Sequence, residues 1–142
     1  MLKKMNPFRF HASTFSSCVL SVCLAVALAM PAWSLGLGKA TLHTVLNEPL
    51  LVTIPLTGTD EMTLSEIKSK IASPDDFNKQ GVERNYIHSQ LRTRVVQNTE
   101  GFVLEVYTRE PFKEAWINFL VDVQWPKGKI LREENLLIDL PR

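Results

Sequence analysis

The sequence has few of the residues on which small thiol enzymes and metal proteins depend. Its 142 residues include two cysteines, Cys18 and Cys23, and three histidines. Both cysteines lie in the first 34 residues, so a chain that begins at Leu35 has neither a thiol nor a disulfide. For such a chain, cysteine catalysis and thiol redox chemistry are excluded.

The chain also lacks an excess of either charge. It has 16 basic and 15 acidic residues, with 45% hydrophobic and 22% charged residues. This balance is typical of a folded globular protein and argues against a disordered chain or a nucleic-acid-binding surface. The length fits a single domain.

The first 34 residues have the three parts of a secretory signal peptide. A basic start without acidic residues precedes an apolar stretch from Phe15 to Met30, which leads to the small-x-small sequence Ala32-Trp33-Ser34. We therefore predict a signal peptide over residues 1–34, a domain over residues 35–142, and a location in the periplasm.

Two alternatives to a cleaved leader remain open. The apolar stretch is slightly shorter than the roughly 20 residues of a spanning helix, yet it can act as an uncleaved inner-membrane anchor. Leu20-Ser21-Val22-Cys23 also has the outline of a lipid-attachment box. A membrane association is expected only if the leader is retained, and the domain then still faces the periplasm.

The glycine pair that follows the leader raises the question of a phosphate-binding loop. Such a loop needs a preceding strand and a following helix, whereas Gly36 and Gly38 follow the leader and precede an alternating pattern. We interpret the two glycines as a flexible, unpaired N-terminal segment.

An alternation of apolar and polar residues begins near Lys39 and predicts strands. Leu42–Leu46 and Leu50–Leu56 read as a first hairpin joined by Asn47-Glu48-Pro49. Later, a second hairpin is predicted around the turn Asn98-Thr99-Glu100-Gly101.

The strongest strand pattern comes near the end of the chain. The longest predicted strand ends at Trp125 and places its apolar residues on one face: Ile117, Phe119, Val121, Val123 and Trp125. The turn Pro126-Lys127-Gly128 leads into a last strand, which is predicted to face inward with Leu136, Ile138 and Leu140.

Between the two hairpins the pattern is helical. Thr63 and Glu66 have the spacing of a capping box and predict a helix from Leu64 to Ala72. Ser73 as N-cap and Gly81 as terminator predict a second helix over Pro74–Lys79. The segment 84–90 has only a weak helical period.

Together these elements predict a mainly β fold. About six strands with two short helices after the first hairpin indicate an antiparallel immunoglobulin-like β-sandwich. A chain of this length can bury enough apolar surface to fold without disulfides.

Two aromatic residues are the candidate partner-binding residues. Trp116 is in phase with the polar residues of its strand, so it is expected to point to the polar side, together with Asn118, Asp122 and Gln124. The alternative is that it packs under the helical segment or across the other sheet. Tyr107 is the second candidate, because exposed aromatic rings can also stack on sugars.

No pattern in the sequence predicts catalysis, a metal or a cofactor. His43 and His88 have no second ligand at metal-binding spacing, and Asp75 and Asp76 are explained by a first helical turn. There is no G-x-S-x-G motif, although a spatially assembled hydrolase site around a histidine stays an alternative. A charged, solvated strand edge is predicted at Arg132, Glu133 and Glu134.

Several short sequence segments resemble the periplasmic N-terminal domain of FimV-type proteins. They occur in order from about residue 35 to residue 141: Leu35-Gly36-Leu37-Gly38, Leu46-Asn47-Glu48-Pro49-Leu50, Ile71-Ala72-Ser73-Pro74-Asp75-Asp76-Phe77 and the run from Phe119 to Glu133.

The resemblance implies a non-catalytic domain that helps to assemble or position a type IV pilus or type II secretion apparatus. It implies as partner a periplasmic or inner-membrane protein of that assembly, with peptidoglycan as the alternative partner. In the family, a peptidoglycan-binding LysM module, a membrane span and cytoplasmic repeats follow the domain. This chain is expected to lack all three, so their roles are not implied.

Overall fold

The computed structural model describes residues 34–142, which form eight strands and two short helices, with both helices between the fourth and fifth strands. The strands are β1 (Gly36–Leu37), β2 (Thr41–Leu42), β3 (Pro49–Thr57), β4 (Lys68–Ile71), β5 (Arg92–Asn98), β6 (Gly101–Pro111), β7 (Trp116–Trp125) and β8 (Gly128–Leu137). The helices are α1 (Pro74–Gln80) and α2 (Ile87–Gln90). Residues 1–33 of the proposed leader lie outside the described residues, and its cleavage stays a prediction.

The strands form two antiparallel sheets. One has the order β1-β3-β6-β5, with β2 also paired to β3, and the other has the order β4-β7-β8. In residues 34–142, no helix is long or apolar enough to cross a membrane. The prediction of a mainly β, immunoglobulin-like sandwich with two short helices is confirmed.

The main core lies between the two sheets, because each contributes alternate residues to one buried cluster. The first sheet gives Val52, Ile54, Leu104 and Val106, and the second gives Ile117, Phe119, Val121 and Val123. Since successive side chains of a strand point to opposite faces, the residues between these lie on the outer faces.

Both predicted C-terminal hairpins are present. In the β5–β6 hairpin Asn98 pairs with Gly101, whose φ of 127° explains the need for glycine. In the β7–β8 hairpin Trp125 pairs with Gly128, which leaves a two-residue turn. The longest strand is β6 with 11 residues, one more than β7, contrary to the prediction.

The first hairpin is shorter than predicted. Its two segments do pair, with Thr41 opposite Thr53 and Leu42 opposite Val52. Strand β2 ends at Leu42, however, and the chain returns through a longer connection in which Asn47 has a φ of 69°.

The N-terminal glycines are not a flexible, unpaired segment. Gly36 belongs to β1 and pairs with Thr57, and the Gly38 N–H donates to the Pro55 carbonyl at 2.7 Å. A Cβ atom on Gly36 would lie 2.6 Å from the Thr57 hydroxyl. Glycine at position 36 therefore leaves room for the Thr57 side chain on the neighbouring strand.

The predicted helix from Leu64 to Ala72 is wrong beyond its first turn. The Glu66 carboxylate accepts hydrogen bonds from the Thr63 N–H at 2.6 Å and the Thr63 hydroxyl at 2.8 Å. These bonds hold the pKa of Glu66 below its usual range. Only one 3-10 turn follows, Leu64–Glu66, before the chain becomes strand β4.

The spacing of two isoleucines explains the error. Ile67 and Ile71 are four residues apart, a separation that places side chains on one side of a strand as well as of a helix. Between them, Lys68 and Lys70 are exposed and alternate in the strand period. Pairing with β7, in which Lys70 lies opposite Asp122, decides in favour of the strand.

The second predicted helix is confirmed as α1, one residue longer than predicted. The Ser73 hydroxyl accepts from the Asp76 N–H at 3.2 Å, and Gly81 ends the helix with a φ of 70°. The weakly patterned segment 84–90 contains the single turn of α2.

Asp76 is expected to make the stability of the fold depend on acid pH. The hydrogen bond from the Ser73 hydroxyl, at 2.7 Å, and the charge of Lys129 hold the pKa of this carboxyl below its usual range. A lowered folded-state pKa stabilises the fold above the unfolded value of about 3.9. This contribution is lost as the pH falls through the folded-state pKa.

Asp76→Asn is therefore expected to lower the melting temperature at neutral pH, and the difference from wild type should shrink below about pH 4. Thermal unfolding followed by circular dichroism between neutral and acid pH measures both effects. Asp75→Asn is the matched control, since Asp75 shares the first turn but makes neither the serine nor the lysine contact in the described structure. A difference that persists at the lowest pH would contradict the prediction.

The predicted polar face of β7 is largely covered. Leu120 packs with Ala72, Phe77 and Val82 in a second buried cluster beneath α1. Asp122, expected on the solvent side, is 0% exposed. The segment from β4 to α1 lies over this face and accounts for both corrections.

Of the three residues near the end of the chain that were predicted to face inward, one does not. Ile138 is buried and Leu136 is partly buried against the main core, as expected. Leu140, by contrast, is 69% exposed. Strand β8 ends at Leu137, so the alternation that was extended to Leu140 no longer applies there.

Candidate functional site

An exposed apolar pair lies on the outer face of the three-stranded sheet. Trp116 and Leu137 are directly opposite each other on β7 and β8, so their side chains share one face. Trp116 is 54% exposed and Leu137 is 76% exposed. The outward orientation predicted for Trp116 is confirmed.

A groove of about 290 Å³ lies beside Trp116. It is formed by the loop before α2, by α2 itself and by the start of β7. The residues that line it are Glu83, Asn85, Ile87, His88, Glu114, Trp116, Ile117 and Asn118.

His88 forms the floor of this groove and fixes α2 to β7. Its Nδ1 accepts from the Asn85 N–H at 3.0 Å, so the ring proton must be on Nε2, which donates to the Asn118 carbonyl at 2.7 Å. The ring also meets the edge of Phe77, with centroids 4.9 Å apart. His88 is therefore a buried structural residue that holds the groove in shape.

The rim of the groove is acidic. Glu83 and Glu114 are exposed, and within residues 34–142 neither carboxylate forms an ion pair. Farther along the same face, Glu133 accepts from the Asn118 amide at 2.8 Å and from the Asn135 amide at 3.2 Å. The charged residues that line the groove with Trp116 are therefore glutamates, and Lys113 lies beyond them in the adjoining groove.

The second candidate, Tyr107, is not part of this site. It alternates with the buried residues of β6 and so lies on the outer face of the five-stranded sheet, on the opposite side of the sandwich from Trp116. The Arg94 guanidinium lies over its ring, 4.8 Å from the centroid. The structure does not bring the two candidate aromatics together.

Strand β8 is an edge strand with a free backbone. The Ile138 N–H donates to the Ala115 carbonyl at 2.9 Å, and in an antiparallel pair such hydrogen-bonded positions alternate with non-bonded ones. The N–H groups of Glu133, Asn135 and Leu137 consequently point away from β7. The described chain offers them no strand partner.

The predicted solvated edge at residues 132–134 is only partly correct. Glu133 is exposed, but Arg132 and Glu134 pair with each other and are mostly covered. Arg132 also donates to the Leu37 carbonyl at 2.6 Å, which links β8 to β1.

The histidine and aspartate residues that were considered as chemical candidates make contacts that stabilise the fold. The exposed His43 contacts the Thr53 hydroxyl at 2.7 Å. In the part of the chain that the structure describes, no three His, Cys, Asp or Glu residues are placed to hold a metal ion. Of the aspartate pair, Asp76 is engaged with Ser73 at the start of α1.

Sequence reasoning found Trp116 but missed the groove and Leu137. A two-residue turn at Pro126-Lys127 fixes the β7–β8 register, so the position of Leu137 opposite Trp116 could have been read from the sequence. The groove itself depends on the placement of α2 against β7, for which the weak pattern of residues 84–90 carries no signal.

Comparison with known proteins gives matches over most of the described chain. A family model described as FimV N-terminal domain, Ig-like domain, matches residues 35–141. Two proteins named Motility hub protein FimV, from Pseudomonas aeruginosa strains PAO1 and UCBPP-PA14, are each 40% identical over 111 residues. That is 78% of this chain but only 12% of either relative. No solved structure matches significantly.

Proposed function

Because the chain belongs to the family of FimV N-terminal Ig-like domains, we propose that it is a non-catalytic domain that binds a protein of a pilus or secretion assembly. The name of the relatives, motility hub protein, supports a role in pilus-dependent motility. On this proposal the domain acts in the periplasm after removal of residues 1–34, and its partner belongs to a type IV pilus or type II secretion apparatus.

The observation that carries the proposal is the exposed pair of Trp116 and Leu137 beside the groove. Large apolar side chains that face solvent together mark interaction surfaces, and tryptophan is among the residues that contribute most binding energy. The pair lies on a β-hairpin with a two-residue turn, which positions both side chains.

The free edge of β8 adds a second element to the same surface. A partner segment can extend the sheet there, because the N–H groups of Glu133, Asn135 and Leu137 point outward. Backbone hydrogen bonds would then provide affinity, and contact with Trp116 would provide specificity.

Trp116→Ala is expected to reduce recovery of the partner by about tenfold or more, the effect of losing a central aromatic contact. The side chain is more than half exposed, so the free energy of unfolding should change by about 0.5 kcal/mol or less. The measurement is crosslinking co-purification of the tagged full chain from its native envelope, with mass spectrometry of the recovered proteins. Leu64→Ala, which truncates another exposed apolar side chain in the turn before β4, is the control.

Asn135→Pro tests the strand edge in the same experiment. It removes an outward N–H without breaking a hydrogen bond to β7, and Asn135→Ala controls for loss of the side chain. Full recovery with both Trp116→Ala and Asn135→Pro would contradict the proposed surface. Sedimentation of the domain with purified peptidoglycan would instead favour the glycan as partner. A recovered chain that starts at Leu35 would support cleavage of the leader.

A further inference from the structure

The groove beside Trp116 combines an aromatic face with unpaired negative charge. Among residues 34–142, Glu83 and Glu114 line it and no lysine or arginine does, whereas Lys113 lines the adjoining groove. Asn118, on the wall, has a buried side-chain oxygen that accepts no hydrogen bond within the described residues. The two carboxylates and the aromatic face are complementary to a hydrogen-bond donor that carries positive charge.

A second groove begins at the C-terminal end of α2 and has a different charge. It is lined by Ser89, Gln90, Arg92, Arg109 and Glu110, so two guanidinium groups face one carboxylate. The acidic, aromatic groove and this net positive groove thus both adjoin the short helix. A charged partner segment is directed to one side by this difference, since unlike charges attract and like charges oppose docking.

The size of the acidic groove limits what can enter it. At about 290 Å³ it is slightly smaller than small-molecule sites, which span roughly 300–1,000 Å³. One long side chain fits such a volume. The exposed indole of Trp116 offers it a π face, to which a guanidinium or ammonium group is attracted.

We propose that this groove binds a lysine or arginine side chain of the protein partner, with its cation over Trp116 and between Glu83 and Glu114. The inference rests on the proposed function, and it adds the chemistry of the partner: a segment with a basic residue next to the strand or loop that contacts β8. Arginine is favoured over lysine, because its planar guanidinium stacks on an indole and donates to two carboxylates at once.

The test uses two matched peptides, acetyl-AARAA-amide and the same peptide with citrulline, an uncharged analogue of arginine. Titration of the isotopically labelled protein is followed by NMR at the Trp116 indole N–H and at the amides of residues 83–88 and 114–118. We expect saturable shifts and about fivefold or more tighter binding of the arginine peptide, from one cation–π contact and two charge pairs. The difference should decrease with added salt.

Glu83→Gln combined with Glu114→Gln is expected to abolish the preference for arginine over citrulline. Glu61→Gln combined with Glu100→Gln removes two exposed carboxylates away from the groove and should leave the preference intact. Trp116→Phe should keep part of the affinity for arginine, whereas Trp116→Leu should lose it. Equal binding of both peptides by the wild-type protein would overturn the inference.

The same charge variants separate this inference from the proposed function. If Trp116→Ala loses the envelope partner while Glu83→Gln/Glu114→Gln retains it, the cation site is wrong and the protein-binding role stands. If the charge variant loses the partner as well, both are supported. If peptidoglycan sediments the domain only when Glu83 and Glu114 are present, amines of the wall occupy the groove and the inference is overturned.

Discussion

Replacement of Phe77 by alanine is expected to lower the free energy of unfolding by about 3–5 kcal/mol, the usual cost of truncating a buried phenylalanine. Phe77 is 0% exposed and anchors α1 on the outer face of the three-stranded sheet. Denaturant unfolding followed by tryptophan fluorescence measures the change. Because small domains are stable by about 5–15 kcal/mol, this loss is a large fraction of the total stability.

Phe77→Leu is the matched control, since it keeps most of the apolar volume and should cost clearly less than alanine. The alanine variant should also weaken the groove, because the Phe77 ring supports His88, which holds α2 against β7. NMR shifts at residues 83–88 report that change in a folded sample. A loss of stability below about 1 kcal/mol would show that the cluster beneath α1 does not contribute as a core.

The local hairpins of the fold could be predicted from the sequence, whereas the packing of Phe77 on the outer face of β7 could not. The β5–β6 and β7–β8 hairpins depend on local alternation and on turns of two residues, and both were predicted. The inner face of β7 was predicted for the same reason. Its outer face was not, because alternation alone cannot show that a distant segment covers Leu120 and Asp122.

The same limit applies to the candidate site. The alternation of side chains along β7 was sufficient to predict that Trp116 points outward. It could not predict which other segments cover the residues around Trp116. Tyr107 was a reasonable candidate by residue type, yet its face of the sandwich is set by the pairing of β6 between β3 and β5. The acidic groove arises where the loop before α2 meets β7, a contact between residues about 30 positions apart in sequence.

The mispredicted helix illustrates a competition between local and distant interactions. Thr63 and Glu66 do make their predicted contact, but it supports a single turn. The residues that follow gain more from joining β7 as an edge strand, where Ile67 packs in the main core. Tertiary pairing thus decided against a local helical signal.

The second large effect is expected from two lysines at the surface. Lys70 and Lys129 approach the Asp122 carboxylate to 3.5 and 3.3 Å, and Gln124 donates to it at 3.0 Å. Asp122 is 0% exposed, whereas the lysine side chains are 58% and 43% exposed. Removal of both lysines leaves a buried carboxylate with one neutral donor.

Lys70→Met combined with Lys129→Met is therefore expected to lower the free energy of unfolding at pH 7 by about 2–4 kcal/mol, because breaking a buried pair leaves a charge uncompensated. Asp122→Asn should cost less, about 1–2 kcal/mol, since the lysines that it leaves behind are solvated. Urea unfolding of both variants gives the comparison. Lys68→Met with Lys127→Met, at exposed positions without ion pairs in the described structure, should change stability by less than about 0.5 kcal/mol.

Comparing the loss of unfolding free energy in the double lysine variant with that in Asp122→Asn tests which interactions of Asp122 stabilise the domain. Asp122 lies on the central strand β7, Lys70 on β4 and Lys129 on β8, so one carboxylate joins all three strands of the sheet. Lys129 also approaches Asp76 of α1, at 3.8 Å. If the lysine variant is the more destabilised, the cost comes from the uncompensated Asp122 charge together with the lost contact between Lys129 and Asp76 of α1. If Asp122→Asn costs more, the contribution comes from the hydrogen bonds of Asp122 instead.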